Sequence, residues 1–269
     1  MELVTIILSG LLTLISPVGV VAENEIAERL RSQVQSIDEL KIRIDNIPSY
    51  GIVGGKVDRI RLSSRGIQVN PDFRIASLEL ETDPLDIDLQ AVRSTNDSQN
   101  LTQYLDKPAK IALNIGFTEK DINKTLRSSD IVRYIEDTIA EFLPPKEDGT
   151  PTRLEIEDLQ IDFIADDRLT ITTTVQNPRS TPENPSFSQI NLELGIAIPN
   201  GRTIEIIEPK GTVNDKKLRD SILRVFAKRF TTALDLKQLE SAGIFVRVLQ
   251  LKLEPNQFNF VTFIQVEPN

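Results

Sequence analysis

The sequence predicts an α+β fold in which a long, curved antiparallel sheet wraps apolar helices. Three observations point there. Roughly ten stretches alternate apolar and polar residues with a period of two. Three others repeat apolar residues at helical spacing, and most strand connections are short enough for turns. A parallel fold would need a helix between successive strands, and the sequence lacks that pattern.

Residues 3–21 carry no charge and are mostly Leu, Ile, Val and small residues, a length that can enter a bilayer. Val20 and Ala22, just before the polar run Glu23, Asn24 and Glu25, suit an export cleavage site. Glu2 stands where a basic residue is usual, and Pro17 would kink a continuous span. Residues 1–22 are therefore read as a signal peptide or membrane anchor, with a buried or interfacial helix as the remaining alternative. Residues 23–269 form a single domain.

Ile26, Leu30, Val34 and Ile37 make one apolar stripe and predict a first helix. Strands follow at Ile60 and Leu62, at Ala76, Leu78 and Leu80, at Leu85, Ile87 and Leu89, and at Ile111, Leu113 and Ile115. Residues 118–143 predict a second helix, with Ile131, Ile135, Ile139 and Phe142 on one face, Thr118 and Asp121 as its cap, and Pro144 as its stop.

Leu154 and Ile156 give way in phase to Leu159, Ile161 and Phe163, and Val246 and Val248 give way to Leu249, Leu251 and Leu253. A bulge explains each change. Leu169 and Ile171 mark another strand. The clearest alternation runs through Ile190, Leu192, Leu194, Ile196 and Ile198. Asp166 with Asp167, and Asn200 with Gly201, suit hairpin turns. A third helix is predicted from about Asn214, with Leu218, Ile222, Val225, Phe226, Phe230 and Ala233 on a broad apolar arc. Gly243 ends the segment after it. The last two strands flank the turn Glu254, Pro255 and Asn256. Residues 94–100, 144–151 and 177–186 read as loops. Phe117, Thr118 and Asp121 resemble Gly211, Thr212 and Asp215 in placement, each ahead of a predicted helix, which leaves an internal duplication open.

Composition narrows the chemistry. With no His and no Cys there is no imidazole base, thiolate nucleophile or soft metal ligand. Asp, Glu, Lys, Tyr and Ser remain, without a nucleophile and base constellation. The net charge of −9, mixed in sign along the chain, argues against nucleic acid as a partner. Gly54, Gly55 and Lys56 lack the spacing of a phosphate loop and read as a turn. Asp83, Asp86 and Asp88 could form an oxygen-rich cation site, but alternation puts Asp86 and Asp88 together on a solvated face. No catalytic residue, metal ligand or cofactor is assigned.

Several segments carry a likeness: the leader ending Ile15, Ser16, Pro17, Val18 and Gly19, the helix start Ala22, Glu23 and Asn24, and Asp45, Asn46, Pro48, Ser49 and Tyr50. Gly55, Lys56, Val57 and Arg59 continue it into residues 78–85 and 117–122. Together they resemble the LmeA-like phospholipid-binding family, bacterial proteins related in fold to tubular lipid-binding proteins. The resemblance implies a lipid-handling protein at or beyond the cytoplasmic membrane, extracytoplasmic or anchored in the cell envelope, with an apolar groove or tube. It carries no catalytic signature.

The resulting expectation is non-catalytic binding, with transfer as an extension, of phospholipid or a similar amphiphile. Leu78, Leu80, Leu192, Leu194, Ile222 and Phe226 are expected to point inward and line the site. Lys217, Arg224 and Lys228, at spacings of seven and four, are headgroup candidates on one helix face. Arg229 is a fourth: the helical wheel sets it among apolar residues, where a buried guanidinium needs a carboxylate, an edge or a lipid phosphate. The alternative is an envelope scaffold domain with a solid core that binds a protein partner.

Overall fold

A computed structural model describes residues 23–46, 55–88, 105–140, 152, 154–177, 184 and 186–268. The predicted leader, the loops 94–100 and 144–151 and most of 177–186 lie outside them. Helix α1 (Glu23–Gln33) leads into strand β1 (Ser36–Asp45). The strands β2 (Lys56–Val57), β3 (Arg59–Asn70), β4 (Phe73–Thr82), β5 (Leu85–Asp86) and β6 (Ala109–Thr118) follow. Helices α2 (Glu119–Leu126) and α3 (Ser129–Ala140) precede β7 (Glu155–Ile164), β8 (Arg168–Gln176), β9 (Phe187–Ala197), β10 (Glu205–Val213) and β11 (Lys216–Lys217). The last elements are α4 (Asp220–Ala233), a 3-10 helix (Leu236–Ala242), β12 (Ile244–Glu254) and β13 (Gln257–Val266).

The protein is α+β with antiparallel pairing, as the sequence predicts, but the strands divide into two main sheets in place of one. One has six strands in the order β1-β3-β4-β6-β13-β12, the other five in the order β11-β10-β9-β8-β7, and β2 pairs with β5 in a small ribbon. The division has a local cause at the outer edge of β7. Glu119 Oε2 accepts the Phe163 N–H at 2.7 Å, Asn123 bonds both the N–H and the carbonyl of Ile161 at 2.7 Å, and Glu136 Oε1 accepts the Ile156 N–H at 2.7 Å. Side chains of α2 and α3 thus occupy the groups that another strand would use.

The six-stranded sheet buries one face in a filled core. Ile42, Leu62, Leu80, Leu113 and Thr262 stand in one cross-strand row, and Leu40, Ser64, Leu78 and Ile115 in the next. The row Ile37, Ile67 and Ile75 has the opposite parity yet packs into the same core. Gly66, at φ +62°, separates the two phases. This corrects the first predicted helix: it stops at Gln33, and Ile37 belongs to β1. Leu30, Val34 and Ile37 still pack on one cluster, so a helical turn and a strand entry together imitate one longer stripe. The Ile26 side chain lies outside the described residues.

The second predicted helix is two. Thr118 caps α2 as expected, its Oγ1 accepting the Asp121 N–H at 3.1 Å. After Arg127 the chain breaks, and the Ser128 hydroxyl donates to the Thr125 carbonyl at 2.8 Å while the Ser128 carbonyl starts α3 by accepting from Val132. The third helix begins at Asp220, six residues later than predicted, because Asn214 (φ +48°) and Asp215 (φ +61°) make a two-residue hairpin between β10 and β11. Both residue types tolerate left-handed backbone, which is what this turn requires. Thr212 is paired inside that hairpin, so the suspected duplication of the Thr118 helix start does not hold.

Turns at Asp166–Asp167, Asn200–Gly201 and Pro255–Asn256 sit where predicted. Both phase changes are bulges, between Ile156 and Asp158 and between Val248 and Gln250. A third bulge, between Ile207 and Lys210, spans Pro209, which has no N–H for the ladder. Asp86 is held by Lys107 Nζ at 2.9 Å.

Candidate functional site

Among the described residues the five-stranded sheet has the less completely covered apolar face. Across its middle, Leu169 faces Leu194, Ile171 faces Leu192, and Thr173 faces Ile190. Leu194 is only 3% exposed, at the centre of a second core cluster with Phe163, Leu169 and Leu253. One and two steps back along β9, Leu192 and Ile190 are half-buried, as is Ile171 beside them. Beyond them Val175, opposite Ser188, is buried again at 4% exposure.

Leu192 lies over Gly211 of β10. A Cβ at Gly211 would stand 2.6 Å from Leu192 Cδ2 and 3.1 Å from Leu218 Cδ1, so these two leucines close over bare backbone. Helix α4 covers the β10 side. Leu223 is its buried anchor, and Phe226 packs into the second cluster with its ring 4.5 Å from that of Phe230. Ile122 of α2 contributes from the other side, together with Leu251 and Phe258.

The six expected wall residues are not brought together. Leu78 and Leu80 are buried in the closed core of the six-stranded sheet, whereas Leu192, Leu194 and Phe226 belong to the other sheet's face. Ile222 points outward and is 52% exposed, which corrects its expected inward placement. The later helix start and the Leu223 anchor turn α4 so that Ile222 leaves the core side. Arg229, expected to be buried, is exposed. Lys217 is in β11, outside the helix, and pairs with Asp220 at 3.5 Å. Arg224 and Lys228 do share the exposed side of α4, and neither makes an ion pair among the described residues.

Two depressions rimmed by charged residues lie elsewhere. One, of about 430 Å³, crosses the six-stranded sheet beside Arg43, Arg61, Glu79 and Glu81. At its margin Arg61, then Arg43, hold the Asp45 carboxyl below its ordinary range by hydrogen bonding to the charged form. The other, of about 500 Å³, is lined by Lys120, Lys124 and Arg127 of α2 and its cap. The sequence reading passed over these three, although their spacing of four and three was visible. Arg127 leans toward Asp158 at 3.6 Å. Among the described residues no cluster of three acidic side chains is placed to hold a metal ion, and no helix is long and apolar enough to cross a membrane.

Fold and site define an α+β protein of two main antiparallel sheets, each with its own cluster of buried apolar side chains. The chain belongs to the LmeA-like phospholipid-binding family, whose sequence model matches residues 14–262. The resemblance read from the leader, the Asp45–Asn46 segment and the α2 start is thereby confirmed. No curated protein and no solved structure matches the chain.

Proposed function

We propose that the protein binds phospholipid or a similar amphiphile without catalysis, and that it works at the cell envelope, exported or anchored by residues 1–22. An acyl chain would lie on the five-stranded sheet between α2 and α4, the closest this fold comes to a tube around an apolar ligand. One observation carries the reading: between α2 and α4 the five-stranded sheet presents an apolar strip, Leu169 with Leu194 and Ile171 with Leu192, whose second pair is only half-buried.

Acyl burial contributes about 0.8 kcal/mol per methylene, but a bilayer supplies the same environment. Chain burial therefore gives little net preference, and polar contacts to the headgroup set selectivity. Transfer between membranes follows from the same near-balance, since a lipid held no more tightly than in its bilayer can also leave.

Native mass spectrometry of the purified protein, with uptake of fluorescent acyl probes, tests this. Co-purifying lipid and saturable uptake are expected. Absence of both would favour an envelope scaffold that binds a protein partner.

A further inference from the structure

We infer that helix α4 docks on the surface of an anionic lipid bilayer, with Ile222 and Val225 entering the headgroup layer. This goes beyond lipid binding, since a protein can carry a lipid without touching a membrane by this face.

Among the described residues nine large apolar side chains are exposed, and four of them, Ile222, Val225, Phe230 and Leu234, fall on α4 or the residue after it. The others are scattered over separate elements; on α4, Phe230 lies beside Phe226 on the core side, and Ile222 and Val225 form the outward patch. Ile222 is 52% and Val225 55% exposed. They are three residues apart and Arg229 is four beyond Val225, so the three share one face. Arg224 and Lys228, four apart, border it.

Charge selects the occupant. The whole chain is at −9, yet α4 carries Arg224, Lys228 and Arg229 against one acid, Asp220, which pairs with Lys217. An amphipathic helix lying in a membrane surface has this composition: apolar residues facing the bilayer and cations at headgroup level. Phe226, on the adjoining face of the same helix, packs on the second core cluster, so docking would bring that side of the five-stranded sheet near the bilayer.

The chain has no Trp, so Val225→Trp places a single reporter on this face, independent of any contact made by the leader. Full-length Val225→Trp is mixed with vesicles of phosphatidylglycerol and phosphatidylcholine, with pure phosphatidylcholine vesicles, and with brominated versions of each. The expected result is a blue shift and bromine quenching on the anionic vesicles alone, reversed by 1 M salt, where screening acts within about 3 Å. Adding Arg224→Gln and Lys228→Gln lowers the anionic-vesicle affinity about 25-fold, at about fivefold per cation. Lys120→Gln with Lys124→Gln, two cations removed from another face, leaves the indole signal unchanged.

A reporter that stays solvent-exposed on vesicle-bound protein overturns the inference. So does a blue shift that depends on protein concentration without vesicles, which would make the face a contact between copies. Lipid content by native mass spectrometry separates the two readings. Bound lipid with an unshifted reporter sinks docking alone; a shifted reporter with no lipid in the protein sinks the lipid-binding reading and leaves docking standing.

Discussion

The Asp167 carboxylate accepts the backbone N–H of Leu253 at 2.8 Å. Asp167 is in the β7–β8 turn of one sheet and Leu253 in β12 of the other, so this bond joins the two sheets beside the second core cluster. Asp167 also holds left-handed backbone, at φ +55°. Asp167→Ala should destabilise by about 2–3 kcal/mol, from a lost charged hydrogen bond and an unsatisfied, partly buried N–H. Asp167→Asn tolerates the same backbone and keeps an acceptor, so its loss should be smaller. Urea unfolding of both variants checks the order, and equal losses would assign the effect to the carboxylate charge that both variants remove.

Gly66 has a different burden. Its φ of +62° costs an L residue about 1–2 kcal/mol, and a Cβ there would lie 1.9 Å from Asp38 Oδ2. Asp38 is exposed and its side chain can swing away, losing only a solvated ion pair with Arg74. Gly66→Ala should therefore lose about 1–2 kcal/mol by the backbone cost, with or without Asp38→Ala in the background. A loss abolished by Asp38→Ala would show that the contact, not the backbone, sets the requirement.

Asp45 predicts a pH dependence. Arg61 and Arg43 hold its folded-state pKa below the ordinary 3.8, so the carboxylate stabilises the fold above that value. The contribution is lost as pH falls from 3.8 through the lower folded-state value. Asp45→Asn should lie below the wild type in urea midpoint at neutral pH, and the gap should narrow at pH values under 3.8. A gap constant across that range would remove the assigned role of the charge.

How much of this was legible depended on whether the determining information was local. The β9 alternation and the bulges at Ile156 and Val248 were readable because side-chain parity is written directly in sequence. So was the Thr118 cap, a contact three residues long. Strand β1 was hidden because Ile37, at its start, continues the three- and four-residue spacing of Leu30 and Val34 and packs on the same cluster. The Asn214–Asp215 turn was visible chemistry that the apolar arc beyond it overrode. The two-sheet division was not readable: it depends on Glu119 and Asn123 meeting β7 about forty residues later, which local periodicity does not encode. The same holds for Ile222, whose exposure depends on how Leu223 anchors α4.

Leu192 and Leu194 offer the sharpest test of the site, because they share one strand face and differ in cover. Leu194 is packed among Phe163, Leu169 and Leu253, so Leu194→Trp should overpack and destabilise by about 1–3 kcal/mol. Leu192 is half-buried. There the larger ring has room toward solvent, and Leu192→Trp should leave the urea midpoint nearly unchanged while displacing acyl chain from the face. Bound lipid and probe uptake should fall for Leu192→Trp at preserved stability, and the indole should be quenched by a brominated acyl probe. If Leu192→Trp were stable, took up probe like the wild type and showed no quenching, the acyl chain would not lie on the β9 face.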